Sequence, residues 1–172
     1  MSPLLITPEA APIVSRTVRL ATLTDLPFVN AQQKAWSGNV GFLPSQTFER
    51  YIERGQIIIA EENGWPAGYI SFCGSSKGLV RVLQVAVHHD LLREHVGTDM
   101  MRIIQQHAES NGASITRLTC RDGLPANDFW PTLGFVQTAV YARRTTRRRL
   151  LREWTKQLEA VVPQRTIEVP TL

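Results

Sequence analysis

The sequence is poor in the residues that would assign it to several common protein classes. Only two of its 172 residues are cysteines, Cys73 and Cys120, and both fall within predicted strands. Two buried thiols favour a protein of the reducing cytoplasm over a small secreted domain held by disulfides. The four histidines lack cysteine or carboxylate partners at the spacing of a metal site, so we expect no bound metal.

Long hydrophobic runs are also missing, and with them the signal for a membrane-spanning helix. Residues 1–16 contain three prolines but lack the basic start and apolar centre of a signal peptide, so we expect a flexible leader. These absences predict a cytoplasmic protein with no membrane partner. The remaining composition, 43% hydrophobic and 20% charged residues, is typical of one globular domain.

Positive charge is concentrated at the C-terminal end. Residues 143–172 contain eight Lys or Arg and three Glu, a net charge of +5, whereas residues 1–142 carry −1. We expect a basic amphipathic helix over about Arg147–Ala160. Its arginines either bind nucleic acid or an acidic partner, or form a solvated face while the apolar residues pack on the domain or on a second subunit of a homodimer. The arginines concerned are Arg143, Arg144, Arg147, Arg148, Arg149 and Arg152.

The body of the chain alternates between strand and helix patterns. Asn63-Gly64 favours the left-handed backbone of a type I′ turn and predicts a hairpin around it. The order β-α-α-β-β-β-α-β-α-β indicates one α/β domain with a mixed sheet over residues 17–143, followed by the basic helix and tail over 144–172. The predicted strands cover 17–21, 56–62, 65–73, 79–87, 114–120 and 135–143, and the predicted helices cover 26–36, 45–54, 97–110 and 127–133.

Four segments resemble, in order, segments of the GCN5-related N-acetyltransferase (GNAT) superfamily. Val18–Pro27 resembles its opening strand and first helix, and Ile57–Ile70 resembles its second and third strands. Val82–Met101 resembles its central strand, pyrophosphate loop and third helix, and Phe129–Phe135 resembles its Phe-Tyr-x-x-Leu-Gly-Phe segment. The resemblance implies a GNAT-type mixed central sheet flanked by helices. It also implies an N-acyltransferase that passes an acyl group directly from acetyl-CoA to an amine.

In this family, acetyl-CoA is held by main-chain groups of the central strand and of the loop that follows it. The resemblance therefore implies that strands 79–87 and 114–120 splay apart to admit the cofactor. A strand that runs through a turn into a helix N-terminus is suited to binding the pyrophosphate. The other interpretation of this junction is a capped turn that binds no ligand. The cofactor-binding residues implied are Val85, Val87, Arg93, Glu94, His95, Val96, Gly97 and Thr98.

The loop departs from the family pattern Gln/Arg-x-x-Gly-x-Gly/Ala. Aligned without gaps, this pattern falls on residues 92–97, and only Gly97 matches. Leu92 replaces the basic or amide residue, although Arg93 beside it could substitute. His95 replaces a glycine that lets the backbone approach the phosphate, and Glu94 adds a repelling charge. A second hypothesis follows: a GNAT-like scaffold with weakened catalysis that binds nucleic acid or protein through its arginine-rich segment.

The sequence assigns no catalytic acid or base. Many members place a Tyr where this chain has Trp130, and an indole N–H cannot protonate a leaving thiolate near neutral pH. The central strand offers Arg81, Leu83 and Gln84, none of which is a base. The histidine pair at 88 and 89 is more typical of a turn. Amine acetylation can nevertheless proceed largely by positioning, with water carrying the protons.

Three further residues are expected near this site. Trp36 and Phe42 flank the loop between the first two helices, which shapes the acceptor pocket in the family. They either contact the substrate or pack in the core. Cys120 stands at a strand end near the expected thioester, where we favour a buried structural thiol. Family acceptor loops vary, so the sequence does not identify the amine.

Overall fold

A computed structural model describes residues 15–75, 78–143 and 149–159. The strands in these ranges are β1 (Arg16–Leu20), β2 (Ile57–Glu62), β3 (Trp65–Ser75), β4 (Leu79–Val87), β5 (Ile115–Arg121), β6 (Val136–Arg143) and β7 (Arg149–Gln157). The helices are α1 (Leu26–Ala35), α2 (Ser45–Glu53), α3 (Val96–Ser110) and α4 (Ala126–Thr132).

One mixed sheet contains these strands in the order β1-β2-β3-β4-β5-β7-β6. Neighbouring strands are antiparallel except for β4 and β5, which run parallel. The predicted mixed sheet and the element order as far as residue 143 are therefore confirmed. Asn63 and Gly64 adopt φ values of 51° and 82°, which confirms the left-handed turn between β2 and β3.

The predicted C-terminal helix over 147–160 is wrong. Residues 149–157 form β7, which lies between β5 and β6 and pairs with both. The apolar residues that suggested a helical face fit a strand as well, because a short segment cannot show which period it follows. Pairing on both edges of β7 satisfies its backbone and decides the outcome. The sheet therefore continues past residue 143.

The helices cover both faces of the sheet and enclose two cores. On one face, α1 and α2 pack over Ile57, Ile59, Tyr69 and Ala86. On the other face, α3 and α4 pack over a larger set of buried residues: Ile58, Ile70, Val80, Val82, Leu118, Phe135 and Trp154. In the described part of the chain, no helix is both long and apolar enough to cross a bilayer.

A bulge in β4 changes which face its side chains reach. Ser71 of β3 pairs with Gln84 and Phe72 pairs with Val82, so Leu83 is an extra residue. Val82 accordingly packs in the core beneath α3, whereas Ala86 packs beneath α1 and α2. Without the bulge, strict alternation would place both on one face. The bulge thus turns the last part of β4, which adjoins the candidate site.

Candidate functional site

The candidate site lies where the two parallel strands separate. The described pairing of β4 with β5 covers Leu79 to Arg81 on one strand and Ile115 to Arg117 on the other. Beyond these positions β5 stays paired with β7 as far as Arg121, while β4 stays paired with β3. The two central strands therefore diverge towards their carboxyl ends, as the resemblance implied, and leave a gap between them.

Two residues of β4 direct their main-chain groups into this gap. The His88 N–H donates to the carbonyl of Ala67 on β3 at 2.8 Å, which fixes the side to which alternate residues of the strand point. Because N–H and C=O directions alternate along a strand, Val85 and Val87 face away from β3 and towards the gap. Both side chains pack against the core beneath α3. On this side of β4, the main-chain groups beyond Arg81 are therefore not paired with β5.

The carbonyl of Val87 already has one partner. Trp36, one residue beyond the end of α1, donates its indole N–H to this oxygen at 2.9 Å. Trp36 is half-buried and also packs against the core beneath α1 and α2. Trp36 therefore packs in the core and also lies beside the site. The sequence analysis had left these two roles as alternatives.

The loop between β4 and α3 carries two residues in the left-handed backbone region. Arg93 has φ 70° and His95 has φ 62°. This conformation is strained for residues other than glycine, at roughly 1–2 kcal/mol each. His95 occupies a position where the family pattern has glycine, and its backbone keeps the conformation that glycine adopts easily. The sequence departs from the pattern at this position, and the backbone there lies in a region that glycine enters without strain.

The N-terminus of α3 follows directly. The first described helical hydrogen bond joins the Asp99 N–H to the His95 carbonyl at 3.0 Å. The N–H groups of Val96, Gly97 and Thr98 come before it and have no intrahelical acceptors, so they can bind an anion. A Cβ on Gly97 would lie 3.4 Å from the ring of Phe129 and 3.8 Å from Val87, which are ordinary contact distances, so the packing there would also accept alanine.

These residues fit acetyl-CoA in part. The main-chain groups of Val85 and the N–H of Val87 can pair with the amide groups of pantetheine, and the start of α3 offers donors for phosphate oxygens. The side chain of Leu92 is 46% exposed and supplies no charge. Glu94 is exposed, which leaves its negative charge screened by water. The structure thus brings Val85, Val87 and residues 93–98 together around one gap.

The residues considered for proton transfer are not arranged as an acid or base pair. Trp130 is buried, and its indole Nε1 has no hydrogen-bond partner among the described residues. Burial raises the pKa of the Cys120 thiol, although the neighbouring Trp130 indole opposes this shift. Cys120 is therefore a protonated thiol rather than a nucleophilic thiolate. His88 and His89 stack with ring centroids 4.8 Å apart and are partly exposed.

Sequence reasoning missed a buried amide network beside the β4 bulge. The Tyr69 hydroxyl donates to Gln84 Oε1 at 2.8 Å, and Gln84 Nε2 donates to Gln33 Oε1 at 3.0 Å and to the Gly41 carbonyl. Gln33 in turn exchanges two hydrogen bonds with the backbone of Leu43. These residues lie far apart in the chain, and each resembles an ordinary surface amide or core aromatic. No local pattern could have identified them.

The described part of the arginine-rich segment belongs to β6 and β7. Arg143 and Arg149 are opposite one another where these strands end, and Arg144, Arg147 and Arg148 lie outside the described residues. Arg152 forms an ion pair with Asp122 at 2.6 Å, which neutralises one of the charges. Binding of nucleic acid or of an acidic partner through this segment stays a prediction, as does the homodimer.

Comparison with known proteins extends these observations. A family model described as an acetyltransferase (GNAT) domain matches residues 29–147. No protein of curated function matches the chain with significance.

Solved structures with a similar fold are numerous. The ribosomal-protein-S18-alanine N-acetyltransferase from Escherichia coli has a TM-score of 0.70 at 19% identity, covering 87% of this chain and 98% of its own. Ard1 from Thermoplasma volcanium gives 0.75 at 18% identity, with 84% and 98% covered. The putative acetyltransferase yncA from Salmonella typhimurium, solved with its cofactor acetyl-CoA, gives 0.72 at 20% identity, with 84% and 95% covered. At these identities the likeness concerns the fold.

Proposed function

This chain belongs to the GNAT family of acetyltransferases, and on that premise we propose that it passes an acetyl group directly to an amine, without a covalent enzyme intermediate. It is an N-acetyltransferase, and acetyl-CoA is its cosubstrate. The observation that carries the proposal is the gap between β4 and β5, because it exposes one edge of β4 beside a helix N-terminus. A sheet without such a gap would have no room for pantetheine.

Each part of the cosubstrate has a counterpart in the chain. The main-chain groups of Val85 and Val87 would hold the pantetheine amides, as a further strand would. The backbone of residues 93–98 would hold the pyrophosphate, with the positive end of the α3 dipole adding to the attraction. Arg93 is the cationic side chain nearest in sequence to these amides. Together these contacts would orient the thioester at the open end of the gap.

The reaction needs little more than this orientation. The nitrogen of a neutral amine attacks the thioester carbonyl, the carbon–sulfur bond breaks, and coenzyme A leaves as a thiolate that takes up the proton lost by the amine. Alignment of two reactants in one site can supply most of the required acceleration. The raised pKa of the Cys120 thiol argues against an acetyl-cysteine intermediate. Acetyl-CoA supplies the activated acyl group, and the protein aligns the amine with the thioester.

The amine would approach from the side of the loop between α1 and α2. Trp36 lies at the beginning of this loop and contacts Val87 through its indole N–H. Phe42 in the same loop is 80% exposed, so it does not pack in the core. An exposed aromatic ring beside the open end of β4 suits an acceptor with an apolar group next to its amine.

Release of free coenzyme A, measured with a thiol reagent, tests the proposal. We suggest four amines: a peptide beginning with alanine, because the E. coli neighbour is named for such a substrate, a lysine-containing peptide with a blocked N-terminus, spermidine and phenethylamine. We expect thiol release that depends on one of these amines and matches the amount of acetylated amine. Intact-protein mass spectrometry showing accumulation of acetylated enzyme without acceptor would overturn direct transfer.

A further inference from the structure

The amide network defined by Tyr69, Gln84 and Gln33 ends on the backbone of the loop between α1 and α2. Gln33 Nε2 donates to the Leu43 carbonyl at 2.9 Å, and the Leu43 N–H donates to Gln33 Oε1 at 2.7 Å. Because the backbone of Leu43 has one donor and one acceptor, this pair fixes the orientation of the Gln33 amide. Gln84 then has its donor side towards Gln33 Oε1 and the Gly41 carbonyl.

The network is buried and uncharged. Gln33, Gln84 and Tyr69 are 6%, 4% and 0% exposed. Burial raises the pKa of Tyr69 well above its usual value, so the hydroxyl remains a donor throughout the neutral range. Buried polar groups are costly unless they are paired, and these groups pair with one another and with the loop. An apolar residue at 33 or 84 would fill the space without holding the loop.

Two hydrogen bonds attach this loop to β4, one from the network and one from Trp36. Gln84 binds Gly41, and three residues along the strand the Val87 carbonyl binds Trp36. These two points flank Val85, whose main chain faces the gap between β4 and β5. Phe42 stands between Gly41 and Leu43, so its backbone is held on both sides while its ring is 80% exposed. The loop therefore presents an exposed ring from a fixed backbone.

We propose that Gln33 and Gln84 are positioning residues for the amine acceptor: they hold the loop, and with it Phe42, at the open end of β4. The proposal rests on the function proposed above, because it assigns a role in acceptor binding. The side chains of Gln33 and Gln84 are not among the groups that would bind acetyl-CoA. Loss of the network should therefore weaken use of the amine while leaving acetyl-CoA binding intact.

The chain offers a matched control in the neighbouring residue. Gln32 is also 6% exposed and lies on the same helix, but its side-chain Oε1 has no hydrogen-bond partner among the described residues. Gln33→Met and Gln32→Met each replace a buried amide by an apolar side chain of similar size. Gln84→Met serves as a second variant, because it removes the contacts with Gln33 and with the Gly41 carbonyl.

Two measurements distinguish a positioning role from a general effect on folding. Hydrogen exchange at the Leu43 amide should speed up in Gln33→Met and remain as in the unmodified protein in Gln32→Met, since Leu43 donates to Gln33. The KM for the best amine of the four above should rise about tenfold or more in Gln33→Met, because small displacements of an aligned reactant are costly. The Kd for acetyl-CoA, measured by calorimetry, should stay unchanged.

Each outcome bears on a different part of the account. Equal KM values and equal Leu43 exchange in Gln33→Met and Gln32→Met would overturn the positioning role while leaving the proposed function intact. A parallel rise in the acetyl-CoA Kd would also overturn it, since the effect would then not be confined to the acceptor. If Gln33→Met does not fold, a folded Gln84→Met variant replaces it, and an unaltered KM for the amine in that variant overturns the positioning role. An unmodified protein that transfers nothing to any amine would overturn both proposals.

Discussion

At the scale of single residues, Arg93 and His95 both adopt a left-handed backbone, and His95 does so where the family pattern has glycine. Both residues have a Cβ in a conformation that glycine adopts without strain. Packing of β4 before the loop and of α3 after it holds both ends of the loop in place. A glycine at position 95 would let a phosphate approach the loop backbone more closely, because glycine has no Cβ.

The variant His95→Gly tests this interpretation. Removal of the Cβ relieves left-handed strain of roughly 1–2 kcal/mol, against about 0.5–1 kcal/mol for the greater freedom of glycine in the unfolded chain. We expect stability to change little and the Kd for acetyl-CoA, measured by calorimetric titration, to fall. Leu92→Gly in the same loop is the control, because Leu92 has φ −64° and gains no relief. An unchanged or weaker affinity in His95→Gly would contradict the role of the loop.

Cys120 is the second residue with a direct test. Burial raises the pKa of its thiol, so the reactive thiolate is scarce at neutral pH. We expect Cys120→Ala to retain kcat to within about twofold, because direct transfer needs no enzyme nucleophile. Steady-state assays of thiol release provide the measurement. A loss of activity in a folded, acetyl-CoA-binding Cys120→Ala variant would point to a covalent route.

At the scale of elements, β7 shows where sequence patterns reach their limit. The hairpin at Asn63-Gly64 and the limits of β4 follow from local signals, and the structure agrees with both. The arginine-rich segment has equally clear apolar residues, but its state depends on pairing with β5 and β6, which are up to about forty residues away. The hydrophobic periodicity of a short segment does not show whether the segment pairs with strands far away in the sequence.

Trp154 is the residue through which β7 contributes most to the core. It is 6% exposed and donates its indole N–H to Oδ1 of Asn127, a residue of α4, at 3.0 Å. We expect Trp154→Ala to lower the free energy of unfolding by about 3–5 kcal/mol, as buried large-to-small substitutions do. Leu150→Ala on the same strand should change it by only about 0.5 kcal/mol, since Leu150 is 46% exposed. Urea unfolding of both variants compares them, and equal losses would contradict the placement of β7.

The candidate site, like the fold, was predictable from the sequence only where it depends on neighbouring residues of the chain. Val85, Val87 and residues 93–98 follow one another along a strand, a loop and a helix, so a family resemblance could indicate them as a group. The amides of Gln33 and Gln84 are 51 residues apart and meet only because α1 packs on the face to which the β4 bulge turns Gln84. Such a contact depends on the complete fold, and no motif marks it.

At the scale of the whole molecule, an ion pair joins the first strand to the first helix. The guanidinium of Arg19 donates twice to the buried Asp25 carboxylate, both at 2.8 Å, and the Thr22 N–H donates at 2.7 Å. Hydrogen bonds from Arg19 hold the pKa of Asp25 below its usual value, against the effect of burial. The unfolded chain therefore binds a proton more readily than the native one in acid.

The sign of this linkage gives a pH prediction. The contribution of Asp25 is present above its unfolded pKa of about 4 and is lost as the pH falls through the lower native value. We expect Asp25→Asn to be less stable than the unmodified protein at pH 7, by roughly 1–3 kcal/mol, and to lose less stability on acidification. Asp128→Asn, at an exposed carboxylate, serves as the control. Parallel stability curves between pH 7 and pH 3 for Asp25→Asn and the unmodified protein would refute the prediction.

The central feature of the whole molecule is the gap between β4 and β5, with the start of α3 beside it, where we propose that acetyl-CoA binds. Calorimetric titration of the purified protein with acetyl-CoA tests this claim most directly. We expect saturable binding of one molecule per chain, with a Kd inside the range of about 1 μM to 1 mM that is typical of enzyme KM values. Absence of saturable binding at about 10 mM, ten times the upper end of that range, would contradict the account.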